Sequence, residues 1–373
     1  MFKTLVKIIF VYFLLSIFFE SPVFAEPQAV RVQILRNAES ASLKINGIFE
    51  IKDGGTVLLH GRSLNSTVKS FRGGLLISGR NFKAEKVFVD VEDNGTIVLN
   101  GRHFKGNIEF IRDDSGSFSV VNYINLEDYI KGILYHETSH YWPMEVLKAQ
   151  AIACRTYALY QMQENKTKDF DVTNDIYSQV YGGSTSERER TSRAVDYSRG
   201  LILTFEGKVF PAYFHATCAG RTEDASLIWN IDIAPLKGAS CGFCQDSPHF
   251  NWHYVLSAEE MQDILNIRGD IKSVTALGRD VSGRVTDVEI ISDKKTVKIA
   301  AKDLRYKLGP NSIRSTNFTV KMEGKDIIFE GIGWGHGAGM CQWGAYFMAK
   351  DGLTADQILK NYYPGAQISS VNQ

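Results

Sequence analysis

Near residue 122 the hydrophobic period of the chain switches from two to 3.6, and that switch limits the possible folds more than any other feature. Over residues 30–121, apolar and polar residues alternate in short runs such as VRVQIL, EKVFVDV, TIVLNG and NIEFI. The runs are cut by Gly54-Gly55, Gly73-Gly74, Asn94-Gly95 and Gly116. Period two with glycine punctuation predicts strands and tight turns. Asn94-Gly95, between VFVDVED and TIVLNG, predicts a hairpin. A helical block follows over residues 125–165, and strands resume over 201–217. A helix is predicted over 257–267 with Ser257 as N-cap, then the strands VTALGRD, RVTDVEI and TVKIA. Strand-rich segments around a helical pair predict an α+β fold. Its parts are a strand-rich N-terminal region (26–120), a central helical pair, further strands and a glycine-rich C-terminal block within 121–367. The boundary near residue 120 is either a domain edge or a change of register within one body.

The helical pair carries the chain's most informative acid. Asn125 is the expected N-cap, and Leu126, Tyr129, Ile130, Ile133 and Leu134 form an apolar stripe at 3.6-residue spacing. Glu137 falls next on that stripe, before the breaker-rich run 138–143. A carboxyl at the end of a buried face is desolvated and its pKa rises, which suits a general acid near neutral pH. The alternative is an ordinary helix end whose glutamate turns back to water. The second helix is expected to start at Pro143, with Leu147, Ala151, Cys154 and Ala158 as its core stripe. Glu145, Lys148, Ile152 and Arg155 share another face. A buried arginine needs a partner, so Arg155 either pairs with an acid such as Glu145 or meets an anionic ligand.

Five cysteines occur: Cys154, Cys218, Cys241, Cys244 and Cys341. His215-x-x-Cys218 followed by Cys241-Gly-Phe-Cys244 has the residue types and spacing of a structural zinc site. The expected ligands are His215, Cys218, Cys241 and Cys244, with His249 spare, and Cys154 and Cys341 are expected to be reduced fillers. A disulfide from Cys218 to Cys241 or Cys244 is the competing reading in an exported protein. The C-terminal run GIGWGHGAGMCQWGAY has five glycines within 331–339, which lets backbone approach a ligand closely. Trp334 and Trp343 offer flat apolar faces, and His336, bracketed by glycines, is expected to line a cleft. A tight structural turn is the competing account of the glycines.

Several of these runs occur together in one known family. LEDYIKGILYHETSHYWPMEVLKAQAIACRTYAL, IYSQVYGG, YFHATCAGRTED, SGRVTDVEI, DLRYKLG and GWGHGAGMCQWGAYFMAKDGLTADQILKNYYPG resemble, in order, the blocks of the SpoIID/LytB family. The resemblance covers about residues 120–367. It implies peptidoglycan as substrate and lytic transglycosylation of glycan strands, preferentially strands stripped of stem peptides. Glu137 matches the family's catalytic glutamate. The matched blocks also carry Arg155, Tyr157, Gln179, Tyr181, His215, Trp334, His336 and Gln342 as candidate substrate contacts. Glycoside hydrolysis normally takes two carboxylates about 5 to 9.5 Å apart, and only one acid is obvious here. A lytic transglycosylase needs no second, because the substrate's 6-hydroxyl replaces water. Asp171, Asp175, Glu145 and Glu223 are the acids nearest to the motifs, and any of them as a second carboxylate would turn the reading to hydrolysis. Two other classes stay open: a non-catalytic glycan-binding protein that stimulates a cell-wall amidase, and a zinc hydrolase.

The N-terminus sets the expected location. Lys3 and Lys7, the apolar run 8–19 and Val23-Phe24-Ala25 form a signal-peptide pattern over residues 1–25. That predicts export to the periplasm, cell wall or exterior. The apolar run is short of the roughly 20 residues of a membrane span, so a membrane is involved only if this segment stays uncleaved as an anchor. A balance of 42 basic and 42 acidic residues argues against a nucleic-acid partner.

Overall fold

The computed structural model describes residues 29–92, 94–113 and 116–371; the expected signal segment lies outside them. The chain is α+β, as its periods predict. Strands between Val30 and Ile124 join one large sheet, its longest members Ser40–Asp53 and Thr56–Phe71 paired from Ser40 with Lys69 to Asp53 with Thr56. The predicted Asn94-Gly95 hairpin does not form. Strands Lys86–Val91 and Thr96–Leu99 do not pair with each other; both lie in succession along Ser40–Asp53. The register breaks between Asn46 and Phe49 where the chain passes from one to the other. Gly47 (φ 122°) and Gly95 make this possible, since a Cβ on Gly47 would lie 2.7 Å from the Gly95 Cα.

Helices α1 (Leu126–Glu137) and α2 (Met144–Glu164) follow the sheet. Pro143 is the N-cap of α2, so the helix begins at Met144, one residue after the expected start. Leu147, Ala151, Cys154 and Ala158 pack with the sheet and α1 in a first core. The other face of α2 packs Val146, Ala149, Ile152 and Ala153 into a second core. A helix apolar on both faces is held from two sides, so α2 is a fixed beam against which the site is built.

Beyond α2 come α3 (Glu189–Tyr197) and the short α4 (Ala225–Trp229). Residues 251–332 then form an inserted unit of two three-stranded sheets with α5 (Ala258–Leu265) and α6 (Ala301–Leu308). It has its own core around Trp252, Met261, Val288, Leu304 and Phe329. Ser257 and Glu260 cap α5 reciprocally, close to the predicted start. The chain returns through the glycine-rich block to α7 (Gln342–Lys350) and α8 (Ala355–Tyr362), which complete the second core. Among the described residues, no helix is long and apolar enough to cross a membrane.

Candidate functional site

Glu137 is the last residue of α1. Asn125 caps the start by accepting the Glu127 N–H at 2.9 Å. At the other end Thr138 is extended, and both its N–H and its hydroxyl donate to the Leu134 carbonyl at 3.1 Å. Residues 174–183 lie as a strap across α1. The Tyr129 hydroxyl donates to Gln179 at 3.0 Å, Tyr181 to Asn122 at 2.8 Å, and the Gly182 N–H to the Gly132 carbonyl at 3.2 Å. Gly132 is required there, because a Cβ would sit 2.5 Å from the Tyr181 ring. From this strap the Val180 N–H donates to Glu137 Oε1 at 3.1 Å. The residue is half-buried, and burial pushes its carboxyl up to about 7 against the opposing pull of the Val180 N–H.

The glycine-rich block reaches Glu137 from 205 residues away: Gln342 Nε2 donates to the Glu137 carbonyl at 3.0 Å and to Gln150 Oε1 at 3.3 Å. Beside it Trp343 meets Trp142 edge to face, with ring centroids 5.0 Å apart. Trp334 lies between the Arg314 guanidinium, 4.5 Å from the ring centroid, and the His249 ring at 4.7 Å. His336 packs against Trp229 at 4.9 Å and Tyr213 at 5.9 Å, and Tyr213 leads to Tyr157 at 5.9 Å. His336 Nδ1 accepts the Ala338 N–H at 3.1 Å, and the Phe214 backbone also bonds the ring. Burial lowers its pKa to about 3, so it is neutral. Buried His215 is likewise held below the usual range; Nδ1 donates to the Ala338 carbonyl at 3.1 Å, and Nε2 has no partner among the described residues.

Other expected contacts have structural surroundings. Arg155 is 0% exposed and pairs not with Glu145 but with Glu127, through Nε at 2.8 Å and Nη2 at 2.7 Å, while Nη1 donates to the Leu201 carbonyl at 2.9 Å. At 0% exposure Arg155 faces Glu127 and the Leu201 carbonyl, not solvent. Gln179 and Tyr181 are buried and tie down the strap. Tyr157 is buried too, its hydroxyl pushed up to about 12 by burial. The four acids considered as a second carboxylate are all engaged. Asp171 pairs with Arg31 at 2.6 Å and Asp175 with Arg36 at 2.9 Å. Glu145 holds Lys148 at 2.6 Å and accepts the Ala355 N–H at 2.8 Å. Glu223 accepts from Ser282 at 2.9 Å and from the Asp224 N–H at 2.8 Å; burial and the nearby Asp280 push it up to about 7.

The cysteine cluster differs from expectation in one member. The sulfurs of Cys218, Cys241, Cys244 and Cys341 all lie within 4.8 Å of one another and are buried, and they could hold a metal ion. Cys341, expected to be a filler, stands where His215 was expected; His249 stacks on Trp334 instead. The parallel pairing of Phe214–His215 with Met340–Cys341 brings Cys341 in, while the His215 ring turns to Ala338. The cysteines are free thiols. Cys218 and Cys244 sulfurs are 3.6 Å apart, against about 2.05 Å for a disulfide and about 3.8 Å across a tetrahedral zinc thiolate. Cys341 Sγ accepts N–H bonds from Cys218 and Gly344, each at 3.3 Å, an outer shell that suits a thiolate ligand. Sequence reasoning did not assign Cys341, Glu127, Val180 or Tyr213 to the site, although each lies within one of the resembling blocks.

Residues 114–205 match the family described as Stage II sporulation protein, and residues 238–339 match a domain of unknown function. An uncharacterized protein of Brachyspira hyodysenteriae is 40% identical over 261 residues, 68% of this chain and 69% of that one. Stage II sporulation protein D of Bacillus subtilis is 33% identical over 268 residues, 68% of this chain and 76% of its own. The amidase enhancer of Bacillus subtilis is 25% identical over 295 residues, 65% of this chain and 40% of its own.

Proposed function

Because the chain belongs to the stage II sporulation protein D family, we propose that it is an exported enzyme that cleaves the glycan strands of peptidoglycan, those already stripped of stem peptides, by lytic transglycosylation. Glu137 is the single acid/base. The observation that carries this reading is its half-buried carboxyl at the end of α1, raised to about 7 with one backbone N–H as partner. Near neutral pH such a group can give a proton and take one back. Protonated, it donates to the glycosidic oxygen as the bond to C1 breaks. The carboxylate then accepts the proton of the 6-hydroxyl, whose oxygen closes on C1 to leave a 1,6-anhydro end, and no water is consumed. The engagement of Asp171, Asp175, Glu145 and Glu223 elsewhere supports a mechanism with one carboxylate.

The cysteine quartet would hold structural zinc. Four thiolates leave no open position for a reactive water, which weighs against a zinc hydrolase. The kinship with an amidase enhancer supports a second reading, a non-catalytic glycan-binding protein that stimulates a wall amidase. Mass spectrometry of products from purified peptide-free strands separates the two. Anhydro ends, lost in Glu137→Gln, are expected. Products carrying added water would overturn the transglycosylase, and binding without cleavage would favour the second reading.

A further inference from the structure

Three exposed aromatic side chains come from distant segments, one of them on the strap that partners Glu137. Trp229 ends α4 at 39% exposure, Tyr306 lies on α6 at 68%, and Tyr177 lies at 66% on the strap that gives Glu137 its N–H partner. The inserted unit grips α4 through Lys302, whose ammonium donates to the Leu227 and Ile228 carbonyls at 3.3 and 3.0 Å. Tyr306 is four residues on and shares that face of α6. Tyr306 is a close electrostatic neighbour of Tyr177. Trp229 in turn stacks on Tyr213 with centroids 4.2 Å apart at 30°, and Tyr213 leads inward to Tyr157. Single exposed apolar residues are ordinary, but rings gathered from three segments mark a contact surface.

We infer that Trp229, Tyr306 and Tyr177 form a saccharide-binding rim that seats the glycan strand as it runs out from Glu137, and that the inserted unit contributes to substrate binding through Tyr306. The inference rests on the glycan-cleaving reading above. The occupant follows from the chemistry: aromatic faces suit the C–H faces of pyranose rings, and the Tyr hydroxyls and Trp indole N–H supply polar edges for sugar hydroxyls. The rim continues into the aromatic wall beside the acid, so a strand held on it is aligned for cleavage.

The test is calorimetric binding of N-acetylglucosamine hexamer and of peptide-free glycan strands in the Glu137→Gln background. Trp229→Ala and Tyr306→Ala should each weaken binding by roughly five- to tenfold, within the range of buried contact residues. Tyr306→Phe keeps the ring and should stay within about twofold of the parent. Tyr306 is largely exposed, so its alanine variant should melt with the parent, which keeps the result readable if Trp229→Ala unfolds. If wild type releases anhydro products while Tyr306→Ala binds like the parent, the rim is overturned and the Glu137 reading stands. If wild type neither binds nor cleaves glycan, both fall.

Discussion

α1 carries a glutamate at each end, Glu127 in its first turn and Glu137 as its last residue, and their surroundings are opposite. Glu127 sits at the positive end of the helix dipole, takes Arg155 through both oxygens at 2.8 and 2.7 Å, and accepts the Gly200 N–H at 3.2 Å. Glu137 sits at the negative end, where an anion is disfavoured, with one backbone N–H at 3.1 Å and no ion pair among the described residues. Residue type is the same, and Glu127 is buried where Glu137 is half-buried. Partners differ: they make one glutamate a structural counter-ion and leave the other with a raised carboxyl, which the proposed mechanism uses to carry a proton.

The comparison can be broken at either end. The largest effect is expected from Glu137→Gln, which should lower turnover on peptide-free strands by about 10² to 10⁴; product release close to wild type would remove Glu137 from the mechanism. Glu127→Ala should act on stability instead. It leaves the Arg155 guanidinium buried without its anion, at a cost of about 3–5 kcal/mol, read as a lower denaturant midpoint. An unchanged midpoint would show that the pair does not hold α1 to α2.

The cysteine quartet offers a sharper contrast between the ligands expected from the sequence and the side chains that meet in the fold. Elemental analysis should find close to one zinc per chain, with Cys341→Ser losing metal and melting earlier, whereas His215→Ala should keep its metal. Metal retained in Cys341→Ser and lost in His215→Ala would reverse the assignment.

The smallest effect concerns pH. Glu137's folded pKa of about 7 lies above its ordinary value, so the folded state keeps a proton that the unfolded chain releases between about 4.3 and 7. This contribution to stability is present at low pH, declines as pH rises through that window and stays lost above it. Glu137→Gln lacks the contribution, so its melting temperature relative to wild type should climb from pH 5 to pH 8. A gap that does not change with pH would mean the carboxyl is not desolvated.

Much of the site could be read from periodicity. The stripe Leu126, Tyr129, Ile130, Ile133, Leu134 placed Glu137 at the end of a buried face because helical spacing is a local property. The Ser257 cap of α5 was legible for the same reason. The Asn94-Gly95 hairpin misled because turn chemistry records backbone preference, not which strand the next run will join. Arg155 was expected to pair with an acid such as Glu145 or to meet an anionic ligand, and its partner, Glu127, came from the first turn of α1.

Composition and period, on their own, determined the α+β class, the helical pair and the acid at its end, while the residues of the ordered blocks carried the resemblance to one family. All of these depend on neighbours within a few turns or on residue order. Tertiary structure alone decided what each site residue touches: the Val180 N–H on Glu137, Gln342 on its carbonyl, Cys341 rather than His215 in the quartet, and Tyr306 beside Tyr177. Those contacts join residues tens to hundreds of positions apart. They are set by strand pairing and by how the cores close on α2, and no local pattern in the chain encodes either.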